Sequence, residues 1–307
     1  MSSPFLTIAI PTFNRAGYLY KCLQSLLGQV ECDIENDIEI VVSDNASTDN
    51  TCEVVRDINK CKNFYYYRNE ENLGMDGNFL ACYRYAKGKF VWIFSDDDLL
   101  RPNSLKLILN LLKENDNCGA CYIDSEWFEE IDIRKISPIG SLEYKINTSS
   151  IGFLESVNYW VTFLTGNIVN KDLVDRKVYT EENMGTMLVQ LSWVIPAIFS
   201  SNKNIFISSK LILCKLGNTG GYKLFEVFGK NFNKIIDSFI SKGYDSKIKT
   251  IINNKLIRNF FPVFISSDRS SFNNESVFKL LFSLYWNYSA FWSVIIPIFV
   301  KKQFKKI

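Results

Sequence analysis

Ser95-Asp96-Asp97-Asp98 sets three carboxylates in a row behind an apolar run, Phe90-Val91-Trp92-Ile93-Phe94. Adjacent negative charges at a strand exit repel one another, and a strand end shields them little. Two arrangements relieve that cost. A solvated loop, with one Asp capping a helix ahead of Pro102, leaves the charges in water. A hard divalent cation neutralises them, because Mg²⁺ or Mn²⁺ takes oxygen ligands and fills its shell with substrate phosphates. The residues upstream favour the second.

Strands and helices alternate there. Leu6-Thr7-Ile8-Ala9-Ile10 reads as a buried strand, broken at Pro11-Thr12-Phe13-Asn14-Arg15. Leu19, Cys22, Leu23, Leu26 and Leu27 follow at helical spacing. The β-branched run Ile38-Glu39-Ile40-Val41-Val42 stops at Ser43-Asp44-Asn45-Ala46-Ser47-Thr48-Asp49. Asn and Asp bond local backbone donors there, and Ser47 or Thr48 is placed to open a helix through Ile58. Phe64-Tyr65-Tyr66-Tyr67 is a third strand, ending at Arg68-Asn69-Glu70-Glu71-Asn72-Leu73-Gly74, and a helix from about Gly77 to Ala86 leads to the strand before the carboxylates. This alternation implies a parallel sheet covered by helices. In such sheets ligands bind beyond the carboxyl ends of the strands. Asn14, Arg15, Asp44, Asn45, Arg68, Asn72 and Asp96 to Asp98 are therefore expected along one edge.

These segments resemble the family 2 glycosyltransferases of the GT-A fold. Ile10-Pro11-Thr12-Phe13-Asn14-Arg15 is similar to the family's opening strand motif, and Val42 to Asp49 to its nucleotide-binding turn. Asn72-Leu73-Gly74 followed by Asn78 is similar to its third donor-side motif, and Ser95 to Asp98 followed by Pro102 to its metal-binding Asp-X-Asp-Asp element. The likeness covers roughly residues 5–125 and is greatest to bacterial transferases of O-antigen and capsule assembly, abequosyltransferase-like members included. It implies an α/β chain with a mostly parallel central sheet flanked by helices, and a helical C-terminal extension. It also implies roles. Pro11 and Phe13 would line the base pocket, and Asp44 would accept a hydrogen bond from a pyrimidine. Thr12, Asn14, Arg15, Asn45, Asn72, Gly74, Asn78 and Ser95 complete the donor set, with Asp96 against the ribose or phosphates. Asp97, with Asp96, would hold Mn²⁺ or Mg²⁺, and Asp98 would support the metal or face the donor sugar.

The chain departs from the family pattern in two places. Aligning Pro102 puts Ser95 at the first Asp of the Asp-X-Asp. The carboxylate motif that often supplies the catalytic base has no clean copy, which leaves Glu181 and Glu182 as candidates and Asp172 as runner-up. Solvated loop charges explain Glu181 and Glu182 equally well.

Composition narrows the chemistry. The chain has 307 residues, 47% of them hydrophobic, which is ample for a core. It has no histidine, so a Ser-His-Asp triad, a His base and His-ligated zinc are excluded, and a base must come from a carboxylate before Tyr, Lys or Cys. A net charge of +2 gives no reason to expect nucleic acid. Of the eight cysteines, Cys22, Cys52 and Cys82 fit buried helix faces, and Cys118-Gly119-Ala120-Cys121 lacks the second pair a zinc site needs. Reduced thiols and an N-terminus that enters a core strand at once point to the cytoplasm.

The second half is less regular. Glu126 to Ser150 reads as loops and short strands, Thr165-Gly166-Asn167 as a turn or donor-sugar contact, and Met187 to Phe199 as a buried helix carrying Gln190 and Trp193. Lys210 to Leu216 is expected to be the last strand of a catalytic domain over 1–217, with a nucleotide half over 1–125 and an acceptor half over 126–217. Gly217-Asn218-Thr219-Gly220-Gly221 is a flexible break, and 218–307 reads as helical. Phe282 to Val300 carries no formal charge but holds Trp286, Tyr288 and Trp292, and lysines follow. Residues 282–307 are expected to lie in a membrane interface rather than span it, a buried or dimer-forming helix pair being the alternative.

The resulting expectation is a metal-dependent, inverting, hexosyltransferase-type enzyme, peripheral at the inner face of the plasma membrane. It would move a sugar from a UDP-, CDP- or dTDP-sugar to a polyprenyl-linked glycan, alone or as a homo-oligomer. A nucleotidyltransferase would need a Gly-rich loop where Pro11 to Arg15 stands, and a degenerate membrane scaffold would lack turnover.

Overall fold

β1 (Leu6–Thr12) is buried at every residue because it has parallel neighbours on both sides, β2 (Ile38–Asp44) and β4 (Phe90–Ile93). The computed structural model describes residues 3–58, 61–174, 182–216, 223–266 and 275–304. β3 (Phe64–Arg68) adds to β2 in parallel. Beyond β4 the sheet becomes mixed. β8 (Asn167–Asn170) pairs antiparallel with β4 and with β6 (Ala120–Phe128), and β6 runs parallel to β9 (Asn204–Lys215). β5 (Leu99–Leu100) and β7 (Tyr144–Asn147) pair antiparallel with β9. The strand order is β3-β2-β1-β4-β8-β6-β9-β5, with β7 also on β9.

Two helical layers cover this sheet. Even-numbered residues of β1, β2 and β4 pack against α1 (Ala16–Leu27), α2 (Thr51–Asp57) and α4 (Ser104–Glu114). α3 (Gly74–Tyr85) packs on β1, β2 and β4, and α6 (Leu191–Phe199) on β6 and β8. α5 is Ser150–Val157. A close approach fixes Gly88 at the entry to β4, since a Cβ there would lie 2.6 Å from the Thr7 nitrogen.

The chain divides into two compact units, Met1–Phe153 with Val161–Asn218, and Leu154–Trp160 with Thr219–Ile307. The second is helical: α7 (Phe232–Ser241), α8 (Lys247–Lys255), α9 (Phe261–Ser266), α10 (Glu275–Tyr285) and α11 (Ile296–Phe304). Inside it Asn253 Nδ2 donates to Asn233 Oδ1 at 2.8 Å and to the Tyr288 hydroxyl at 3.1 Å, while Asn233 Nδ2 donates to the Tyr285 hydroxyl at 3.0 Å. Among the described residues no helix is long and apolar enough to cross a membrane.

Several boundaries differ from expectation. The β1 register continues through Pro11 and Thr12, which sit opposite Ser43 and Asp44. α2 begins at Thr51, after Asp49 Oδ1 takes the Thr51 N–H at 3.1 Å. The inward face of α2 carries Thr51 and Val55, with Ile58 after it, so Cys52 is exposed where a buried thiol was expected. α3 begins at Gly74, and β9 begins six residues before Lys210. The helix expected from Met187 begins only at Leu191, because Met187 adopts φ +61°. The break at 217–221 lies outside the described residues.

Candidate active site

The β2 turn builds the first part of the site. Asp44 is fully buried at the strand end. Its Oδ1 accepts the Ser47 N–H at 2.9 Å, its Oδ2 accepts the Tyr66 hydroxyl at 2.6 Å, and the Arg68 guanidinium lies 3.5 Å away. Tyr66 is the partner it acquires from β3, where alternation points residues 64, 66 and 68 to one face. Phe13, just past β1, is 40% exposed at the same edge, whereas Pro11 is buried within the strand.

Asparagines bind the three donor-side turns together. Asn14, held at φ +53°, accepts the Thr48 N–H at 2.7 Å on its Oδ1 and donates its own N–H to Ser47 Oγ at 2.9 Å. Asn45 Nδ2 donates to Asn72 Oδ1 at 2.8 Å and to the Gly74 carbonyl at 3.2 Å, while its Oδ1 accepts the Leu73 N–H at 2.9 Å. Asn78 Oδ1 accepts the Ser43 hydroxyl at 2.7 Å, and its Nδ2 donates to the Ser43 carbonyl at 3.0 Å. In this structure these side chains hold backbone.

The carboxylate run occupies the turn after β4. Asp96, Asp97 and Asp98 are all buried. Asp96 Oδ2 accepts the Thr12 hydroxyl at 2.7 Å, Asp97 Oδ1 accepts the Ser95 hydroxyl at 2.6 Å, and Asp98 Oδ2 accepts the Thr165 hydroxyl at 2.6 Å. Arg15 Nη1 then bridges Asp96 Oδ1 at 2.8 Å and Asp97 Oδ2 at 3.2 Å. Burial pushes the Asp96 carboxyl up to about 6; Arg15 and Thr12 oppose that rise and the Asp97 charge adds to it. Burial, then repulsion from Asp97, pushes Asp98 up to about 7.

Two carboxylate oxygens aimed at one cationic nitrogen also suit a hard divalent ion that completes its shell with phosphate. By that test Asp96 and Asp97 fit a two-carboxylate metal site with Arg15 as the stand-in cation. Among the described residues no group of three or more His, Cys, Asp or Glu side chains could hold a metal.

The model of the family described as "Glycosyl transferase family 2" matches residues 7–173, more than half of the chain. The chain belongs to that family. It is 30% identical over 247 residues to the abequosyltransferase RfbV of Salmonella typhimurium, covering 76% of this chain and 72% of that one. It is similar in fold to S. aureus TarS 1-349 in complex with UDP-GlcNAc, with TM-score 0.61 and 17% identity over 92% of this chain and 82% of that one. The mannosyltransferase PcManGT from Pyrobaculum calidifontis, in complex with GDP-Man and Mn²⁺, has TM-score 0.56 and 15% identity over 100% and 89% of the two chains. The protein is thus a glycosyltransferase of the GT-A type, which uses a nucleotide sugar.

The base candidates of this family 2 chain separate in space. Asp172 lies in the turn after β8, whose Asn170 is paired with Phe90 at the start of β4. That is the opposite end of β4 from the carboxylates. Glu181 lies outside the described residues. Glu182 is exposed and opens the loop leading to α6. Asp76, buried in the first turn of α3, holds that loop by accepting the Met187 N–H at 2.9 Å and the Val189 N–H at 3.4 Å. Asp76 was not among the expected residues; its only sequence signal is an acidic residue in the first turn of a helix that follows a donor-side motif. Trp193 is core, stacked on Tyr83 with centroids 4.6 Å apart. Gln190 is buried and donates to the Thr162 carbonyl at 2.7 Å.

Proposed function

We propose that the protein transfers a hexosyl unit, with inversion, from a UDP-, CDP- or dTDP-sugar to a hydroxyl of a bacterial surface glycan of the lipopolysaccharide or capsule kind. One observation carries this reading: Thr12 is the register partner of Asp44 and hydrogen-bonds Asp96, so a base-side and a phosphate-side carboxylate meet across a single strand. Asp44, closed off behind Ser47, Tyr66 and Arg68, is the carboxylate on the base side, and Phe13 offers the base a ring face. Asp97 and Asp96 are the residues to hold Mg²⁺ or Mn²⁺, which when bound supplies Lewis-acid neutralisation of the diphosphate. Asp98, tied to Thr165, backs that pair. Glu182, or its neighbour Glu181, takes the proton of the acceptor hydroxyl as that oxygen attacks the anomeric carbon. The name of the Salmonella relative supports sugar transfer, and the Mn²⁺ complex of the Pyrobaculum mannosyltransferase supports a metal.

The acceptor in this reading is carried on a polyprenyl lipid at the inner face of the plasma membrane. In the helical unit Trp286 is 59% and Trp292 51% exposed, with Phe282 beside Trp292. Lys301 and Lys302 follow on α11. Aromatic rings with nearby lysines suit an anionic interface. The catalytic region is then 1–217, and 282–307 is the membrane-associating part of 218–307.

The test is nucleoside diphosphate release from each of the three donors, by wild type and by Asp97→Ala, with Mn²⁺ and a lipid-linked acceptor. Turnover of one donor by wild type alone is expected. Equal turnover by a folded Asp97→Ala protein overturns the metal assignment, and no turnover by wild type with any donor favours a degenerate scaffold.

A further inference from the structure

Something positive has to stand between Asp96 and Asp97, because both are buried and adjacent. In the structure that charge is Arg15. Among the other carboxylate contacts in the run, three come from neutral hydroxyls of fixed residues, Thr12 within β1, Ser95 beside β4, and Thr165, itself fully buried, and Asp98 also meets the Lys215 backbone and the Cys214 thiol. Arg15 differs from all of them. Its side chain is 30% exposed, and its backbone is secured independently, since its carbonyl accepts the N–H groups of Tyr18 and Leu19 at the start of α1. The guanidinium can therefore leave the carboxylates without disturbing the strand ends, and the Tyr18 ring, 5.4 Å from it, is a second surface against which it rests.

We propose that Arg15 is a resident cation that a divalent metal must replace, and that the donor diphosphate draws it off. A guanidinium binds phosphate oxygens through two parallel N–H bonds, so a diphosphate at this edge competes with Asp96 and Asp97 for Arg15. Once the arginine has turned to the phosphates, two carboxylate oxygens are left aimed at one point, which a metal fills. Metal and nucleotide then enter as a coupled pair. Each strengthens the other by the same factor, because coupling between two binding sites is reciprocal. Without nucleotide, Arg15 holds metal affinity down. This device rests on the metal-binding reading of Asp96 and Asp97.

Free Mn²⁺, counted by electron paramagnetic resonance, tests it on the full chain. Titrations use wild type, Arg15→Gln, Arg15→Lys and Asp97→Asn, each with no nucleotide, with UDP and with CDP. Wild type is expected to bind Mn²⁺ weakly alone and about tenfold or more tightly beside the fitting nucleotide. Arg15→Gln is expected to bind Mn²⁺ about tenfold more tightly than wild type without nucleotide, and to lose most of the coupling. Arg15→Lys keeps the charge without the two-bond geometry, so it should still hold Mn²⁺ off while coupling falls; it also serves if the glutamine variant fails to fold. Equal Mn²⁺ affinity of wild type and Arg15→Gln without nucleotide, with binding still lost in Asp97→Asn, overturns the exchange and leaves the metal site standing. No Mn²⁺ binding by wild type under any condition overturns both.

Discussion

Asp44 and the Asp96–Asp98 run end strands that flank β1 on its two sides, and all four carboxylates are buried. They are held in opposite ways. Asp44 has a backbone N–H, a phenol and a nearby guanidinium to itself. The run shares one guanidinium between Asp96 and Asp97, with a hydroxyl on each of the three carboxylates and the Lys215 backbone on Asp98. Asp44 is a finished acceptor whose geometry is fixed before any ligand arrives. The run is short of positive charge, and burial drives two of its members towards protonation. One end of the site suits recognition, and the other suits neutralising a leaving group.

That contrast breaks or sharpens under four changes. Asp97→Ala should lower turnover by on the order of 10²–10³-fold, the several kcal/mol that Lewis-acid stabilisation supplies. A loss of only a few-fold in diphosphate release would place charge neutralisation elsewhere. Asp44→Asn should raise the donor KM about tenfold and leave kcat within about twofold, because it weakens ground state and transition state alike. An equal fall in kcat would make Asp44 part of the chemistry and erase the distinction.

The third change is pH, on metal-free protein. Asp96 and Asp98 titrate near 6 and 7 when folded, above the ordinary carboxylate value near 4. Between about pH 4 and 7 the folded chain therefore holds protons that the unfolded chain has released, so stability falls as pH rises through that window. Thermal melts should run higher at about pH 5.5 than at about pH 8, and Asp98→Asn should shrink the difference. A melting temperature that rises with pH and ignores the variant contradicts the sharing of charge described here. The smallest effect on chemistry is expected outside both clusters. Replacing Trp286 and Trp292 by Ser should reduce co-sedimentation with anionic phosphatidylglycerol vesicles and leave turnover of a soluble acceptor unchanged. Undiminished sedimentation would remove these side chains from the membrane contact.

The edge that gathers Asp44 and Asp96 was legible because it depends on local signals: apolar runs of strand length, each stopped by polar residues, with helical spacing between them. Tyr66 on Asp44 was not, because a phenol reaching across from a neighbouring strand leaves no periodic trace. Cys52 differs for a smaller reason, since in a helix this short Thr51, Val55 and Ile58 already fill the inward face. The loop before α6 was opaque. Its apolar composition suggested a helix from Met187, but its path is set by Asp76, more than a hundred residues earlier in the chain, and by left-handed backbone at Gly185 and Met187. Roles for Glu181 and Glu182 depend on that path, so spacing could not rank them.

The amide mesh joining Asn45, Asn69, Asn72 and Asn78, with Asn14 holding Thr48 beside it, has a further consequence. Asn45 and Asn78 each give and receive, Asn69 gives to both of them, Asn72 receives from Asn45, and Asn14 receives the Thr48 N–H, so the path of each of the three turns depends on the others. The donor edge is therefore expected to open as a single cooperative block rather than as three independent loops. Slow hydrogen exchange at its amides would be lost all at once, and a pocket assembled in that way is either complete or absent.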